Sequence, residues 1–394
     1  MNRKDEHLDY GKVRIVTFLG FLFGLSMATL VYVVSSYYKE ALGSENVGIF
    51  YVVSFSVLLL ALLHFHKIIS RFGRARTLLF MLLLQIVLMF TLSFLPVSLF
   101  GASLIVMYYI AYGIIWALWD VVLEAYSADN ASGRIRGMFL SVWGIGVLIG
   151  PMLATTLLEN YGFTALFVVV LILYILMFLV VLTMLNSIRG HVSAQDSAAH
   201  TLARAWKTVN IRNIYWIGCT LRFFFATMTI FMPLYLRSLE FSWVEIGWIF
   251  TVMLLPFILF EYPAGVLADK KYGEKEILFI GLLLIIVAVV LIVLTKSTEI
   301  WVWMAILFLS RTGAALVDSM HDAYFYKQIA AKDIALINFF RSTRSIGYIS
   351  AALLSSIILL FGSIETVFGV LLIVLACGFY PIIILHDTVP EKDR

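Results

Sequence analysis

The sequence predicts an all-α integral membrane protein in which twelve transmembrane helices form two six-helix bundles. Three observations support this fold class. Hydrophobic residues make up 62% of the 394 residues and charged residues only 13%, whereas an ordinary globular domain carries about 25% charged residues. The apolar residues fall into twelve long runs, and one ten-residue sequence recurs in similar form half a chain later. The composition excludes a soluble enzyme, a disordered chain and a nucleic-acid-binding protein, because a soluble fold could not cover so much apolar surface.

Each apolar run is long enough to cross a bilayer core of about 30 Å, which takes roughly 20 helical residues. We call the runs spans 1 to 12, and they lie at 13–38, 46–66, 77–96, 100–126, 135–158, 163–186, 212–237, 243–267, 276–296, 299–326, 333–361 and 364–386. Their length and their lack of alternation exclude the strands of a membrane barrel. Span 1 follows the charged residues 1–12 without a small-residue cleavage site, so we expect it to be retained as a helix.

The basic residues predict the orientation of the spans. If the N-terminus is cytoplasmic, the inner segments carry 21 Lys and Arg residues, whereas the outer segments carry three, namely Lys39, Arg237 and Lys296. Such a bias is typical of membrane proteins, whose cytoplasmic loops are enriched in Lys and Arg. We therefore expect a multi-pass protein of the cell membrane with both termini in the cytoplasm.

The chain divides into two halves around its longest polar loop. This division gives an N-terminal bundle at 1–186, a cytoplasmic linker at 187–211 and a C-terminal bundle at 212–394. The sequence ALWDVVLEAY at 117–126 matches ALVDSMHDAY at 315–324 in five of ten positions. Because each half has six spans, both halves enter the membrane in the same sense, which predicts a parallel repeat.

The loops after spans 8 and 2 share a motif. The loop after span 8 reads GVLADKKYGEKE from Gly265, with Asp269 at its fifth position and Gly273 at its ninth. It resembles the G-x-L-A-D-R-x-G-R-K loop of the major facilitator superfamily, with one extra residue before the second glycine. The loop after span 2 keeps that glycine as Gly73 and several basic residues, but has histidine and serine in place of the first glycine and the aspartate. The chain is therefore similar to this family over essentially its whole length.

Span 5 carries a glycine pattern made of Gly137, Gly146, Gly150 and Pro151. It resembles a pattern of the family's proton-antiporting drug exporters, with Ala154 in place of the last glycine. Small residues of this kind let membrane helices pack closely. The pattern therefore predicts a helix-packing surface on span 5.

The resemblance also implies where polar residues lie. In this family spans 1, 4, 7 and 10 surround a central cavity, and the loop that contains Asp269 braces the inner helix ends. Two more specific patterns are absent, since Tyr109 stands where the drug exporters usually carry Arg and Ala131 stands where a sugar porter carries one. Neither drug export nor sugar uptake follows directly from the sequence.

Ionisable residues occur on the spans that the resemblance places around the cavity. An ionised side chain at the centre of a membrane helix costs about 2.5–3.5 kcal/mol, so each is expected to be paired or functional. The candidates for proton coupling are Asp120 and Glu124 on span 4 and Asp318, His321 and Asp322 on span 10. Asp120 is the first candidate, because span 5 offers it no Arg partner, whereas Glu124 lies closer to the arginines of the following loop. For His321 two roles stay open, a proton relay or a hydrogen-bond partner of the neighbouring acids.

Two arginines and three aromatic residues are candidates for substrate binding. Arg222 on span 7 and Arg311 on span 10 lie near the middle of their spans, and a guanidinium has a fork of donors that suits carboxylate or phosphate. Alternatively each pairs with an acid, Arg311 with Asp318 or Arg222 with Asp120. The aromatic candidates are Tyr32, Tyr109 and Trp116.

Charged residues near the inner helix ends are candidates for a gate. They are Arg71, Arg74, Glu261, Asp269, Arg341 and Arg344. Folding spans 10 and 11 about a turn near 329–330 places Asp318 level with Arg341, so we expect an ion pair between them. In the simplest interpretation these charges only neutralise one another and brace the helix ends.

The function predicted from these features is secondary active transport of a small solute by alternating access, coupled to protons. The span 5 pattern favours efflux by antiport. One alternative is import of a small organic anion by proton symport, motivated by Arg222 and Arg311, and another is a receptor or scramblase that does not transport. The sequence contains neither the ATPase motif G-x-x-x-x-G-K-S/T nor the zinc motif H-E-x-x-H, so we expect no enzyme, cofactor or metal. The expected partners of the monomer are membrane lipid, a small-molecule substrate and protons, but no nucleic acid.

Overall fold

The computed structural model describes residues 10–126, 132–184, 206–268, 270, 273–329 and 334–386. Within these ranges all regular secondary structure is helical. This confirms the predicted all-α membrane fold, in which each helix satisfies its own backbone hydrogen bonds away from water.

The predicted spans correspond to helices, although spans 1 and 12 each comprise two consecutive helices and spans 5 and 6 share one helical stretch. In the first half these are Tyr10–Val31 and Val34–Leu42 (span 1), Gly48–Leu63 (span 2), Arg74–Phe94 (span 3), Leu99–Tyr126 (span 4) and Ser132–Met184 (spans 5 and 6). A short helix, Phe65–Phe72, follows span 2. In the second half they are Val209–Ser238 (span 7), Trp243–Leu267 (span 8), Glu274–Leu294 (span 9), Ile300–Gln328 (span 10), Ile334–Ile358 (span 11), and Ile364–Cys377 with Phe379–Ile384 (span 12).

Nine helical stretches of the described chain are long and apolar enough to cross a membrane. Three features reconcile this number with twelve spans. Gly48–Leu63 is apolar but shorter than the nine, and Ile334–Ile358 is a further helix that carries two arginines. Ser132–Met184 is interrupted at Gly162, which has a non-helical φ of 73° and ψ of −170° and separates span 5 from span 6.

The described residues fall into two compact units. The first comprises the described parts of Met1–Leu42 and Val57–Ser193, and the second those of Gly43–Ser56 and Ala194–Arg394. The beginning of span 2 therefore groups with the second unit. Most of the linker predicted at 187–211 lies outside the described residues.

The contacts of Gly43–Ser56 explain this grouping. Asn46 Nδ2 donates a hydrogen bond of 3.0 Å to the carbonyl oxygen of Ser356 on span 11. Phe55 stacks on Tyr348 of the same span, with ring centroids 4.3 Å apart. The first turns of span 2 are therefore held against span 11 by a hydrogen bond and by a ring contact.

In the first unit, spans 1 and 5 pack with their backbones close together. A Cβ added to Gly146 would lie 2.4 Å from the carbonyl oxygen of Phe21, and one added to Gly150 would lie 2.2 Å from Ala28 Cβ. A Cβ added to Gly137 would meet no atom within 4 Å. Two of the three glycines predicted to form a packing surface therefore lie in close contact with span 1.

In the second unit, span 7 is the most deeply buried of the nine apolar stretches. It packs against spans 10, 11 and 12. Most of the length of span 7 is therefore buried within this unit. Spans 9 and 10 meet nearby at a pair of glycines, where a Cβ on Gly313 would lie 2.4 Å from the carbonyl oxygen of Gly281.

The loops with the repeated motif begin spans 3 and 9 in the same way. Gly73 has φ 82° and ψ 156°, and Gly273 has φ 78° and ψ 170°. This backbone region is accessible essentially only to glycine. Each glycine precedes a buried charged residue, Arg74 in one loop and Glu274 in the other. The two halves thus share a local backbone geometry, as expected for a repeat.

Candidate functional site

The candidate site is a cluster of charged and aromatic side chains inside the second unit. At its centre, Nη2 of Arg222 on span 7 donates a hydrogen bond of 2.8 Å to Oδ1 of Asp318 on span 10, and each side chain is 23% exposed. Two opposite charges in one hydrogen-bonded pair offset much of the cost of placing either in a membrane helix. We call this pair with Glu261, His321, Asp322 and Tyr348 the polar cluster.

Two glycines allow the helices to approach at the ion pair. A Cβ on Gly347 of span 11 would lie 2.5 Å from Arg222 Cβ, and a Cβ on Gly218 of span 7 would lie 2.2 Å from Nε2 of His321. Gly218 and Arg222 are four residues apart, so they share a helix face. That face of span 7 meets the polar stripe of span 10.

Aromatic rings cover the guanidinium groups of both predicted binding arginines. Arg222 lies over the ring of Phe225 at 5.5 Å, and Arg311 lies over the same ring at 5.0 Å and over Phe224 at 5.3 Å. Arg311 is only 2% exposed. Arg222, at 23% exposure, is therefore the more exposed of the two arginines.

Two further acids surround the ion pair. Asp322 is one helical turn after Asp318 and interacts electrostatically with both members of the pair, and Glu261 on span 8 interacts with both aspartates. The side chain of Asp322 is 54% exposed. Arg222 is thus already neutralised by Asp318, and among the described residues it also interacts with Asp322 and Tyr348.

His321 connects this cluster to the interior of the unit. Its Nδ1 lies 3.1 Å from Oδ1 of Asp322, and its ring stacks on Phe340 at a centroid distance of 4.4 Å. Asp318, His321 and Asp322 each bring a ligand-type atom within 4.8 Å of the others. Because the guanidinium of Arg222 already binds Asp318 and would repel a metal ion, we describe the group as an ion-pair cluster.

The structure corrects one predicted contact. Asp318 pairs with Arg222 and not with Arg341, whose side chain is exposed. The reason is the register of span 7, whose polar face is in contact with span 10. Of the other predicted gate residues, Arg344 is half-buried, Arg71 is exposed and stacks on Phe72 at 5.6 Å, and Asp269 lies outside the described residues.

The aromatic residues predicted in the first unit are packed against other side chains. Trp116 stacks on Phe23 at 6.0 Å and meets Trp143 edge-on at 5.1 Å. The other two predicted aromatic residues, Tyr32 and Tyr109, are buried. The backbone of span 4 includes Asp120 and Glu124, but their side chains are outside the described residues. A proton site at Asp120 therefore stays a prediction.

Sequence patterns did not identify several residues in or beside the polar cluster. Phe225, Tyr348, Gly218 and Gly347 were not predicted to take part, although each contacts a charged or titratable residue of span 7 or span 10. One sequence feature of span 7 could have indicated the close contact: Gly218 precedes Arg222 by one helical turn. A small residue at that spacing indicates a close neighbour on the charged face.

Comparison with known proteins places the chain among transporters. The family model described as Major Facilitator Superfamily matches residues 16–247 and 239–394. The chain is 30% identical over 167 residues to Sugar efflux transporter A of Escherichia coli (strain K12), a match that covers 39% of this chain and 40% of that protein. A crystal structure of a mutant of the nucleoside transporter NupG has the same fold, with a TM-score of 0.75, 15% identity and coverage of 95% of this chain and 99% of that one.

Proposed function

The chain belongs to the Major Facilitator Superfamily, as a multi-pass membrane transport protein and not an enzyme, and from that premise we propose that it exports a neutral, hydroxylated solute of the sugar class in exchange for protons. Transport would proceed by alternating access across the cell membrane, with both termini in the cytoplasm. The observation that carries the proposal is the ion pair between Arg222 and Asp318.

The ion pair favours a neutral solute over an anion. A small anion needs an uncompensated guanidinium, but Arg222 is bound to Asp318 and Arg311 is buried. A paired guanidinium and carboxylate can still donate to and accept from hydroxyl groups at their remaining atoms. The half-buried side chain of Phe225 beside Arg222 adds apolar surface next to these polar groups. Partial similarity to a protein named as a sugar efflux transporter supports the same substrate class and direction.

The acids of the cluster support coupling to protons. Asp322 and Glu261 interact electrostatically with Asp318, so three carboxyl groups lie close to one another. Binding a proton relieves the repulsion among them. Asp322 is the most exposed acid of span 10 in the cluster, and we assign it the exchangeable proton of this unit.

Inside-out membrane vesicles test the proposal, because their acidified lumen corresponds to the outer side of the cell. We expect labelled glucose or lactose to accumulate when the lumen is acidic, and labelled benzoate not to. A one-to-one exchange can support about tenfold accumulation per pH unit. Asp322→Asn should abolish accumulation but retain exchange of labelled for unlabelled sugar. Asp120→Asn is assayed in the same way, because Asp120 is the proton-site candidate of span 4.

A matched control is available at the start of span 12. Glu365 accepts a 2.8 Å hydrogen bond from the ammonium of Lys296. Glu365→Gln removes one carboxylate from a pair outside the polar cluster and should leave accumulation unchanged. Accumulation of benzoate without sugar would instead support anion transport, and the absence of both fluxes would contradict the proposal.

A further inference from the structure

The ring of His321 is fixed on three sides. The side chain is 1% exposed. One face stacks on Phe340, which in turn stacks on Phe325 at 3.7 Å. The Nδ1 edge points at Asp322 Oδ1, 3.1 Å away. The Nε2 edge abuts Gly218, where even a methyl group would come within 2.2 Å. The ring therefore has little freedom to turn or to shift.

The two nitrogens of this ring have different surroundings. Nδ1 faces a carboxylate oxygen, which accepts hydrogen bonds. Nε2 is buried and makes no hydrogen bond with any described residue. A proton on Nε2 would be a buried donor without an acceptor, whereas an unprotonated Nε2 leaves only a lone pair unused.

We propose that His321 is a neutral positioning residue, which carries its proton on Nδ1 and holds the carboxylate of Asp322 in place for proton exchange. It does not itself relay protons, because a relay must release and rebind a proton at a second nitrogen, and Gly218 blocks that nitrogen. The part of this inference that concerns proton exchange rests on the proposed function. The tautomer of His321 and its contact with Asp322 do not depend on the proposed function.

Charged and titratable groups from each neighbouring helix define the setting of Asp322. Span 7 contributes Arg222, span 8 contributes Glu261, span 10 contributes Asp318 and His321, and span 11 contributes Tyr348 beside Arg222. His321 lies within hydrogen-bond distance of Asp322 from the same helix. A hydrogen-bond donor stabilises the ionised form of the Asp322 carboxylate relative to the protonated form.

Nitrogen-15 NMR of the full chain with labelled histidine tests the tautomer without any transport. The His321 signals are identified by their loss in His321→Asn. We expect a protonated Nδ1 and an unprotonated Nε2 in the wild-type protein. A proton on Nε2 would overturn the inference.

Two isosteric variants test the role in exchange. Asparagine places its amide near the position of Nδ1 and can still donate to Asp322, whereas glutamine places its amide near Nε2, against Gly218. We expect His321→Asn to keep the wild-type pH midpoint of sugar accumulation. His321→Gln should raise the midpoint by about one pH unit, because the ionised carboxylate loses a donor.

Glycine variants supply the structural control. Gly218→Ala should displace the ring and reproduce the shift of His321→Gln, whereas Gly369→Ala, whose added Cβ meets no atom within 4 Å, should not. Equal loss of coupling in His321→Asn and His321→Gln would show that His321 relays protons and would refute the proposal. Absence of transport in the wild-type protein would refute the proposed function, while the NMR result would still decide the tautomer.

Discussion

At the scale of single residues, the ion pair of Arg222 and Asp318 decides how charge is accommodated in the second unit. Each charge alone would cost about 2.5–3.5 kcal/mol at the centre of a membrane helix. Paired at 2.8 Å they neutralise each other, and the nearby carboxylate of Asp322 interacts with the same guanidinium. The pair therefore has a structural role as well as the proposed role in binding.

Removing only one partner should be more harmful than removing both. Arg222→Gln leaves Asp318 unpaired among other acids, and we expect it to lower the free energy of unfolding by about 3 kcal/mol. The double variant Arg222→Gln with Asp318→Asn should recover at least half of that loss, because no unpaired charge remains at the pair. Thermal unfolding of the purified variants in detergent measures both effects, and strictly additive losses would contradict this reasoning.

The embedded charges could be recognised from sequence, but their pairing could not. Arg222 and Asp318 stand out as ionisable residues within apolar runs, and helical spacing assigns each to a face. Spacing along one helix does not give its rotation and height relative to another helix. The predicted partner of Asp318 was therefore Arg341 on the next span, whereas the actual partner comes from span 7.

At the scale of helices, close contacts between backbones organise each unit. Gly146 and Gly150 of span 5 lie against Phe21 and Ala28 of span 1, and the buried Pro151 follows in the same stretch. Dispersion forces and close packing drive such association in a membrane, because lipid tails are as apolar as the side chains. A glycine whose Cβ position falls on a neighbouring backbone atom cannot be replaced without moving a helix.

Gly146→Ala and Gly144→Ala form a matched pair on span 5. The added Cβ would overlap backbone atoms of span 1 at Gly146 but meets no atom within 4 Å at Gly144. We expect Gly146→Ala to cost about 1–3 kcal/mol through overpacking, and Gly144→Ala to be neutral or to gain up to about 1 kcal/mol from helix propensity. Unfolding by heat in detergent compares the two, and equal midpoints would rule out the close contact.

Sequence patterns predicted the helices more fully than their contacts. Glycine spacing identified Gly137, Gly146 and Gly150 as one packing surface, yet only the last two face span 1 closely. The reason is that a pattern of small residues does not reveal which of them a neighbour approaches. The break between spans 5 and 6 was predictable, because the apolar run is interrupted near Gly162, where the backbone leaves the helical region.

At the scale of the whole molecule, the two halves repeat a common plan. The decapeptide at 117–126 matches that at 315–324, and Gly73 and Gly273 begin spans 3 and 9 with the same backbone geometry. The buried charges that follow these glycines are opposite in sign, Arg74 in one half and Glu274 in the other. The repeat therefore preserves the backbone while allowing the charges to differ, which is why sequence similarity between the halves is local.

The orientation of the whole chain is open to a direct test. The distribution of Lys and Arg predicts that residue 207, before span 7, is cytoplasmic and that residue 240, between spans 7 and 8, is external. Both Lys207 and Glu240 are exposed. In a background without Cys219 and Cys377, we expect a membrane-impermeant maleimide to label Glu240→Cys in intact cells, and Lys207→Cys only after permeabilisation. Labelling in the reverse order would invert the topology, and with it the direction in which the vesicle assay reports export.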